Sequence, residues 1–166
     1  MPDDPSPAAI TTQVTDLLDR LGISYRVLPH SEPVFTVETA AAQRGVIKEE
    51  MVKSILLRDE NRRYVMACVT GDARLDPKAV RAYLGGEWKR LSFANAEEIL
   101  TVTEYVQGAV TPLCMPDDVP VIFDEGIARC AKVNISSGDP MAGLELATQD
   151  LIRAARARLA KIALIS

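Results

Sequence analysis

The chain has 166 residues, of which 48% are hydrophobic and 25% charged, and this is the length and composition of one soluble globular domain. No apolar run is long enough to cross a bilayer. The net charge of −4 is unlike that of an indiscriminate nucleic-acid binder, whose affinity comes from neutralising phosphates. The N-terminus lacks the basic start and apolar core of a secretory signal, so we expect a cytoplasmic protein with no membrane partner.

The chain contains few side chains suited to metal or nucleophilic catalysis. His30 is the single histidine, which excludes most metal-hydrolase and Ser-His-Asp schemes. Cys68, Cys114 and Cys130 are too far apart in sequence for a zinc ligand pair, and we expect reduced, mostly buried thiols. The sequence therefore predicts chemistry that uses other groups, without a metal or a cofactor.

The first part of the chain mixes helices and strands. Residues 1–9 are rich in proline and aspartate and are predicted to form a disordered tail. Apolar residues at helical spacing predict a helix over residues 10–21, and alternation of apolar and polar residues predicts a strand over 23–29. A second helix is predicted from Thr36 to Gly45.

Two apolar runs at 51–58 and 64–72 flank four polar residues and predict a central β-hairpin, covered on both faces. Lys53 stands beside Ser54 where the first strand begins. An ammonium is costly to bury unless an anionic or polar group meets it. Considered alone, this residue is more simply interpreted as a strand-end lysine whose amine reaches water.

The second part of the chain continues the mixed pattern and predicts an α+β fold rather than a doubly wound one. We expect a single domain over residues 10–166, with a mixed, mostly antiparallel sheet or open barrel flanked by helices. The predicted elements are a helix from Asp76 to Gly85, a strand over 88–91, a helix over 94–101 capped by Ser92, strands over 119–123, 132–135 and 143–147 with a helical turn over 124–130, and a closing helix from Thr148 through Leu159.

One loop could present backbone donors. Gly108 and Pro112 stand four residues apart, so the amides of Ala109, Val110 and Thr111 are candidate donors to an anion or to a developing oxyanion. A plain turn explains the same pattern. The serine-glycine loop over 136–138 is equally unspecific, because serine and glycine are common turn residues.

Taken in order, these segments resemble the YbaK and prolyl-tRNA synthetase-associated editing domains, and the resemblance covers residues 10–155. It rests on Val52–Leu57, Gly71–Asp72, Gly108–Pro112, Asp124–Glu125, Ser136–Gly138 and Gly143–Leu146. The resemblance implies a deacylase that clears mischarged aminoacyl-tRNA in trans. Its partners would be tRNA, through the 3′ acceptor end, and an aminoacyl-tRNA synthetase where one takes part.

The resemblance also implies roles for individual residues. Lys53 would bind the phosphate or ribose at the tRNA 3′ end, and the Gly108–Pro112 loop would stabilise the oxyanion while water or a ribose hydroxyl attacks the ester. The implied catalytic residues are Lys53 and Gly108. The implied substrate-binding residues are His30, Phe35, Ser54, Ala109, Val110, Thr111, Pro112, Asp124, Ser136, Ser137 and Gly138.

Two departures from the family pattern leave the amino acid open. Relatives often carry paired glycines where this chain has Gly108 and Ala109, and a shorter loop in place of residues 136–143. Small groups such as alanyl, cysteinyl, seryl or prolyl-like ones fit the resemblance. Two alternatives stay open at this point: a binding module of the same fold that does not hydrolyse its ligand, and a nucleotide-binding or regulatory protein.

Overall fold

The computed structural model describes residues 10–164, so the predicted tail over 1–9 and the last two residues of the predicted domain lie outside the described part. The helices are α1 (Gln13–Arg20), α2 (Val37–Arg44), α3 (Pro77–Leu84), α4 (Ala96–Thr103), α5 (Glu125–Ala128) and α6 (Thr148–Ala155), with a 3₁₀ turn at Lys48–Glu50. The strands are β1 (Arg26–Pro29), β2 (Val52–Arg58), β3 (Tyr64–Thr70), β4 (Ser92–Phe93), β5 (Val121–Asp124), β6 (Lys132–Ser136), β7 (Ala142–Ala147) and β8 (Arg158–Ala160). None of the helices in this range is both long and apolar enough to cross a membrane.

The strands form two sheets rather than one. The larger sheet has the order β4-β2-β3-β5-β8, antiparallel through its first three strands and parallel through its last three. The smaller sheet, β1-β7-β6, is antiparallel throughout. Within residues 10–164, one parallel bridge between Met51 and Asn134 links the two sheets, and the strands do not close into a barrel. The predicted α+β class is confirmed.

The predicted hairpin lies at the centre of the larger sheet, where β2 pairs with β3 from Val52–Thr70 to Arg58–Tyr64. Its residues alternate between two cores, as strand geometry requires. Leu56 packs in the core between the sheets, and Leu57 packs in the core beneath α3. The turn is stabilised by buried Asp59, whose carboxylate accepts hydrogen bonds from backbone amides. The two-sided burial expected from the apolar runs is thus present.

Local signals placed several helix ends correctly. Thr36 caps α2 by accepting from the Thr39 amide, and Gly45 ends the helix with a left-handed φ of 68°. Asp76 caps α3 in the same way, accepting from the Lys78 amide. These short polar side chains satisfy amides that have no partner within the helix. Helix α2 is thereby fixed in position, and its side chains reach the cavity described below.

Three local predictions were wrong. Residues 88–91 form no strand, since the strand is β4 at residues 92–93. Asn95 rather than Ser92 caps α4, through a capping box with Glu98. The closing helix ends at Ala155, because Arg156 turns left-handed with a φ of 53° and β8 then pairs parallel with β5. Pairing with a distant strand decided this last difference.

Candidate active site

A cavity of about 400 Å³ opens beside the first strand of the hairpin. Side chains and backbone from five separate segments line it. They are Phe35, Thr36, Val37, Ala40 and Arg44 from α2 and the loop before it, Met51 to Leu56 from β2 and the residue before it, Phe93, Ala94 and Ile99 from the β4–α4 region, Gln107, Gly108 and Val110 from one loop, and Ser136 from β6.

The cavity exists because one edge of β2 is only partly covered. Strand β2 pairs with β3 along its whole length, whereas β4 pairs with it only at Leu57 and Arg58. On that second edge the Leu56 carbonyl accepts from the Ala94 amide at 3.0 Å. Alternate residues of a strand direct their backbone polar groups to the same edge, so the Ser54 amide and carbonyl also face this side. The cavity wall therefore offers backbone groups as well as side chains.

Lys53 is half-buried at the start of β2. Its ammonium donates a hydrogen bond to the Ala73 carbonyl at 2.6 Å. Burial lowers the pKa of the Lys53 amine, and the nearby carboxylates of Glu38 and Asp72 oppose this change. No ion pair of Lys53 occurs within residues 10–164. Since an ammonium has three donors, two stay available for a ligand.

Ser54 follows Lys53 and projects from the opposite face of β2. Its hydroxyl oxygen lies 3.5 Å from the sulfur of Cys68, which acts as a weak donor. Complete burial raises the pKa of the Cys68 thiol to about 12. Burial also raises the pKa values of Cys114 and Cys130. The thiols are therefore held protonated, which makes them poor nucleophiles.

The loop over 108–112 contributes Gly108 and Val110 to the cavity. Gly108 has a φ of +94°, and a Cβ there would lie 2.9 Å from the Cα of Phe35. Glycine is thus required by conformation and by space. The Ala109 amide donates to the Val106 carbonyl at 3.0 Å, whereas the amides of Gly108 and Val110 have no acceptor in the described part of the chain. Of the three predicted donors, Val110 lines the cavity, and its amide is open. The open amide of Gly108, which was not among the predicted donors, is a second candidate.

Thr111 and Pro112 are buried behind the cavity and do not line it. Tyr105 anchors this part of the loop, since its buried hydroxyl donates to the Leu113 carbonyl at 2.7 Å. The ring of Tyr105 also packs against Gly138, which has a φ of +90°. One tyrosine therefore positions both predicted substrate loops relative to each other.

Of the three residues in the serine-glycine loop over 136–138, one lines the cavity and the other two hold the loop in place. Ser136 lines the cavity. Ser137 is fully buried, and its hydroxyl donates to the Ala142 carbonyl at 2.7 Å. The Ser137 carbonyl accepts from the Thr12 hydroxyl at 2.8 Å. Ser137 and Gly138 thus stabilise the loop that places Ser136.

Asp124 lies away from the cavity. One of its carboxylate oxygens accepts from the Gly126 amide at 2.8 Å, and the other from the amides of Ile162 and Ala163, each at 2.9 Å. The carboxylate therefore caps α5 and holds the chain after β8. These three hydrogen bonds give Asp124 a structural role that does not require contact with a substrate.

His30 is buried beside the cavity rather than in its wall. Its Nδ1 lies 2.7 Å from the Pro140 carbonyl, so Nδ1 carries the proton and donates. Its Nε2 then accepts from Nε of Arg44 at 3.1 Å. Arg44 does line the cavity. No sequence pattern indicated this residue, because a basic residue in the last turn of a helix is usually solvated.

Comparison with known proteins identifies the family. Residues 31–154 match the aminoacyl-tRNA editing domain family. The chain belongs to this family. The match contains Lys53, the Gly108–Pro112 loop and Ser136, so every segment of the cavity falls within it. The predicted resemblance to the YbaK and prolyl-tRNA synthetase-associated editing domains is confirmed.

Individual relatives agree with this assignment. A protein of Enterococcus faecalis named as a candidate Cys-tRNA(Pro)/Cys-tRNA(Cys) deacylase, EbsC, is 22% identical over 80% of this editing-domain chain and 79% of its own length. The proline–tRNA ligase of Bacillus licheniformis is 28% identical over 61% of this chain, and that match spans only 17% of the ligase. A solved structure described as a candidate trans-editing enzyme for prolyl-tRNA synthetase has the same fold, with a TM-score of 0.80, 24% identity and coverage of 99% of this chain and 100% of its own.

Proposed function

We propose that this chain hydrolyses the ester bond of mischarged aminoacyl-tRNA, acting in trans on a small amino acid such as alanine, cysteine, serine or a proline-like residue. One observation carries the proposal. In a member of the editing family, a single cavity collects Lys53, Ser54 and the Gly108 loop, which lie far apart in sequence. The Enterococcus faecalis relative is named as a candidate deacylase, which supports the same reaction class.

Lys53 binds the tRNA 3′ end in this proposal. Its ammonium is positioned by the Ala73 carbonyl and has two further donors for a phosphate or ribose oxygen. A compact, strongly charged ammonium suits a phosphate oxygen, and its partial burial strengthens the interaction relative to one in water. Ser54 also lines the cavity, and its hydroxyl is a further polar group on the other face of β2.

The Gly108–Val110 segment stabilises the oxyanion. The open amides of Gly108 and Val110 support this role, because fixed backbone donors in a partly enclosed site need no reorganisation during the reaction. The Ala109 amide is engaged within the turn and takes no part. A positioned water attacks the ester carbon, or the free ribose hydroxyl attacks first and the resulting ester is then cleaved by water. In both cases the oxygen of the water enters the released amino acid, and the departing ribose oxygen takes a proton from that water. The buried, protonated cysteines are not used.

The size of the cavity fits the aminoacylated end of a tRNA. About 400 Å³ is within the range of small-molecule sites, and the apolar side chains of Ile99 and Val110 limit the space for the amino acid. Such a pocket discriminates by only about 1–3 kcal/mol per methylene group. Contacts with the acceptor stem, and with a synthetase where one takes part, would therefore contribute to selection of the substrate. A cytoplasmic location stays a prediction.

A second function, binding of aminoacyl-tRNA without hydrolysis, is favoured by the rim of the cavity. Phe35 and Phe93 are 57% and 61% exposed and both lie at this rim. Exposed aromatic rings are suitable surfaces for stacking unpaired bases, which binding requires whether or not chemistry follows. Measurement of turnover separates the two functions.

Incubation with a panel of mischarged tRNAs tests the proposal. We expect at least one ester to be hydrolysed faster than its spontaneous rate. Lys53→Ala should reduce this rate about 10-fold to 100-fold, because a charge-assisted hydrogen bond contributes about 1.5–3 kcal/mol. Lys161→Ala, a change at an exposed lysine outside the cavity, is the matched control and should keep full activity. Survival of every ester at its spontaneous rate would refute hydrolysis, and tight binding without turnover would establish the second function.

A further inference from the structure

Arg44 is a cavity residue to which the proposed reaction assigns no role. It is the last residue of α2, and its side chain lies in the cavity wall. Nε donates to Nε2 of His30 at 3.1 Å, and one terminal nitrogen donates to the side-chain oxygen of Asn134 at 2.9 Å. Asn134 is itself held by the Glu50 carbonyl at 3.1 Å. The guanidinium is therefore fixed in position by neutral groups.

No carboxylate neutralises this charge within residues 10–164, where the ion pairs involve other residues. Burial lowers the pKa of Arg44 to about 10. A guanidinium has five N–H donors, and the contacts to His30 and Asn134 use two of them. A desolvated cation is costly unless an anion compensates it. The cavity beside Arg44 is the place where such an anion can enter.

The neighbouring strand is shaped to admit the guanidinium. Gly143 on β7 has no side chain, and a Cβ at this position would lie 2.6 Å from Cζ of Arg44. Gly143 does not have the left-handed φ that would itself require glycine. The absent side chain instead leaves space for Arg44 to lie against the backbone of β7. An added methyl group would displace the end of a flexible side chain rather than a strand, which makes Gly143 a useful test position.

Arg44 and Lys53 line the same cavity, and helix α2 passes close to both. Glu38, in the first turn of α2, is close enough to influence the pKa of Lys53. Arg44 lies six residues later on the same helix, which corresponds to about 9 Å along its axis. If the aminoacylated tRNA 3′ end contacts Lys53, it also comes within reach of Arg44, which lines the same cavity. This step rests on the proposed function.

We infer that Arg44 binds an anionic oxygen group of the substrate. Two sources share this chemistry: the side-chain carboxylate of an acidic aminoacyl group such as aspartyl, and the 5′-phosphate of the terminal nucleotide. A guanidinium donates two parallel hydrogen bonds to either group. If the ligand of Arg44 is the side-chain carboxylate, the proposed substrates include aspartyl esters as well as esters of small residues. If the ligand is the 5′-phosphate, Arg44 is a second residue, besides Lys53, that contacts the tRNA end.

The experiment compares wild type with Arg44→Gln, Arg44→Lys and Gly143→Ala. Arg26→Gln is the matched control, because this arginine is exposed, pairs with Glu145 on the smaller sheet and does not line the cavity. One arm measures deacylation of aspartyl, asparaginyl and alanyl esters on the same tRNA. The other arm measures binding of adenosine 5′-monophosphate and of adenosine by calorimetry. Circular dichroism checks the fold of each variant.

A carboxylate partner predicts that wild type hydrolyses the aspartyl ester at least tenfold faster than the asparaginyl ester. Arg44→Gln and Gly143→Ala should abolish this preference, Arg44→Lys should keep part of it, and Arg26→Gln all of it. A phosphate partner predicts that the monophosphate binds at least tenfold more tightly than adenosine, with the same dependence on the variants. Gly143→Ala gives the answer if Arg44→Gln fails to fold, because it moves the guanidinium without removing it.

The inference is overturned if wild type shows neither preference, or if a preference survives unchanged in Arg44→Gln or in a folded Gly143→Ala. Failure of the proposed function gives a different result. In that case wild type hydrolyses none of the mischarged panel, and the calorimetric arm still decides whether Arg44 binds a phosphate oxygen. Hydrolysis by wild type with no effect of any Arg44 or Gly143 variant would refute only the role of Arg44.

Discussion

Gly108→Ala is the substitution that most directly tests how the loop forms the site. Gly108 has a φ of +94°, which a residue with a side chain rarely adopts. A Cβ at this position would lie 2.9 Å from both the Cα and the Cδ1 of Phe35. Because one of these atoms belongs to the backbone, rotation of the phenylalanine ring cannot relieve the contact. The loop must move away from the cavity, or Phe35 must move with α2.

The expected cost has two parts. The positive φ alone costs about 1–3 kcal/mol for a residue other than glycine. Overpacking against Phe35 adds about 1–3 kcal/mol. Gly85 isolates the first part, since its φ is +93° and an added Cβ there would meet nothing within 4 Å. Gly85→Ala should therefore lower the unfolding free energy only by the cost of the positive φ. Gly85 also lies outside the cavity, so this variant should not affect the site.

Urea unfolding and deacylation of the best panel substrate measure the two effects. We expect Gly108→Ala to be less stable than Gly85→Ala and at least tenfold slower in kcat/KM. If the loop amides stabilise the oxyanion as proposed, moving them costs transition-state stabilisation, and a loss of about 1.4 kcal/mol slows the reaction tenfold. Gly85→Ala should retain wild-type turnover. Equal stability and equal activity of the two variants would show that Gly108 is an ordinary turn residue, and our account of the loop would then be wrong.

Two further substitutions test residues beside the site. Asp124→Ala should lower the unfolding free energy by about 2–3 kcal/mol, because three backbone amides lose their acceptor, while the folded fraction keeps its kcat. Urea titration with Asp118→Ala as an exposed control checks this, and loss of kcat in the folded variant would instead indicate a substrate contact. Burial, assisted by the charge of Arg44, lowers the pKa of His30 below its ordinary 6.5. Between 6.5 and this lower folded pKa, the histidine is protonated in the unfolded chain but not in the folded chain. Stability should therefore fall as the pH is lowered from 6.5 towards the folded pKa, and His30→Gln should lack this component when urea unfolding is compared at about pH 7.5 and about pH 5. An identical loss in both proteins would contradict the assignment to His30.

Several residues predicted from sequence do line one cavity. They are Phe35, Lys53, Ser54, Gly108, Val110 and Ser136. They could be proposed because their segments follow one another in the order of a known family, although each segment alone has the composition of an ordinary strand or turn. Their catalytic and binding roles stay predictions. The structure adds that other residues of the same segments, such as Ser137 and Ala109, are occupied by contacts within the protein.

Arg44 and β8 could not be predicted. Arg44 looks like a solvated helix end, and only the approach of β6 and β7 to α2 brings its guanidinium against Asn134 and Gly143. Leu159 continues the helical spacing of Leu151, Ile152 and Ala155, so the sequence favours an extended helix. The strand forms because β5 offers an unpaired edge and Asp124 holds the amides that follow. Both features depend on residues distant in the chain.

The sequence by itself determined the features that neighbouring residues control. The caps at Thr36 and Asp76, the helix end at Gly45 and the central hairpin follow from side chains that satisfy nearby amides and from an uninterrupted apolar pattern. Tertiary structure alone decided that the strands divide into two sheets and that one edge of β2 stays open. Those outcomes depend on pairing between strands far apart in sequence, which no local propensity encodes. The open edge is also what turns Lys53 from a strand-end residue into part of a cavity wall.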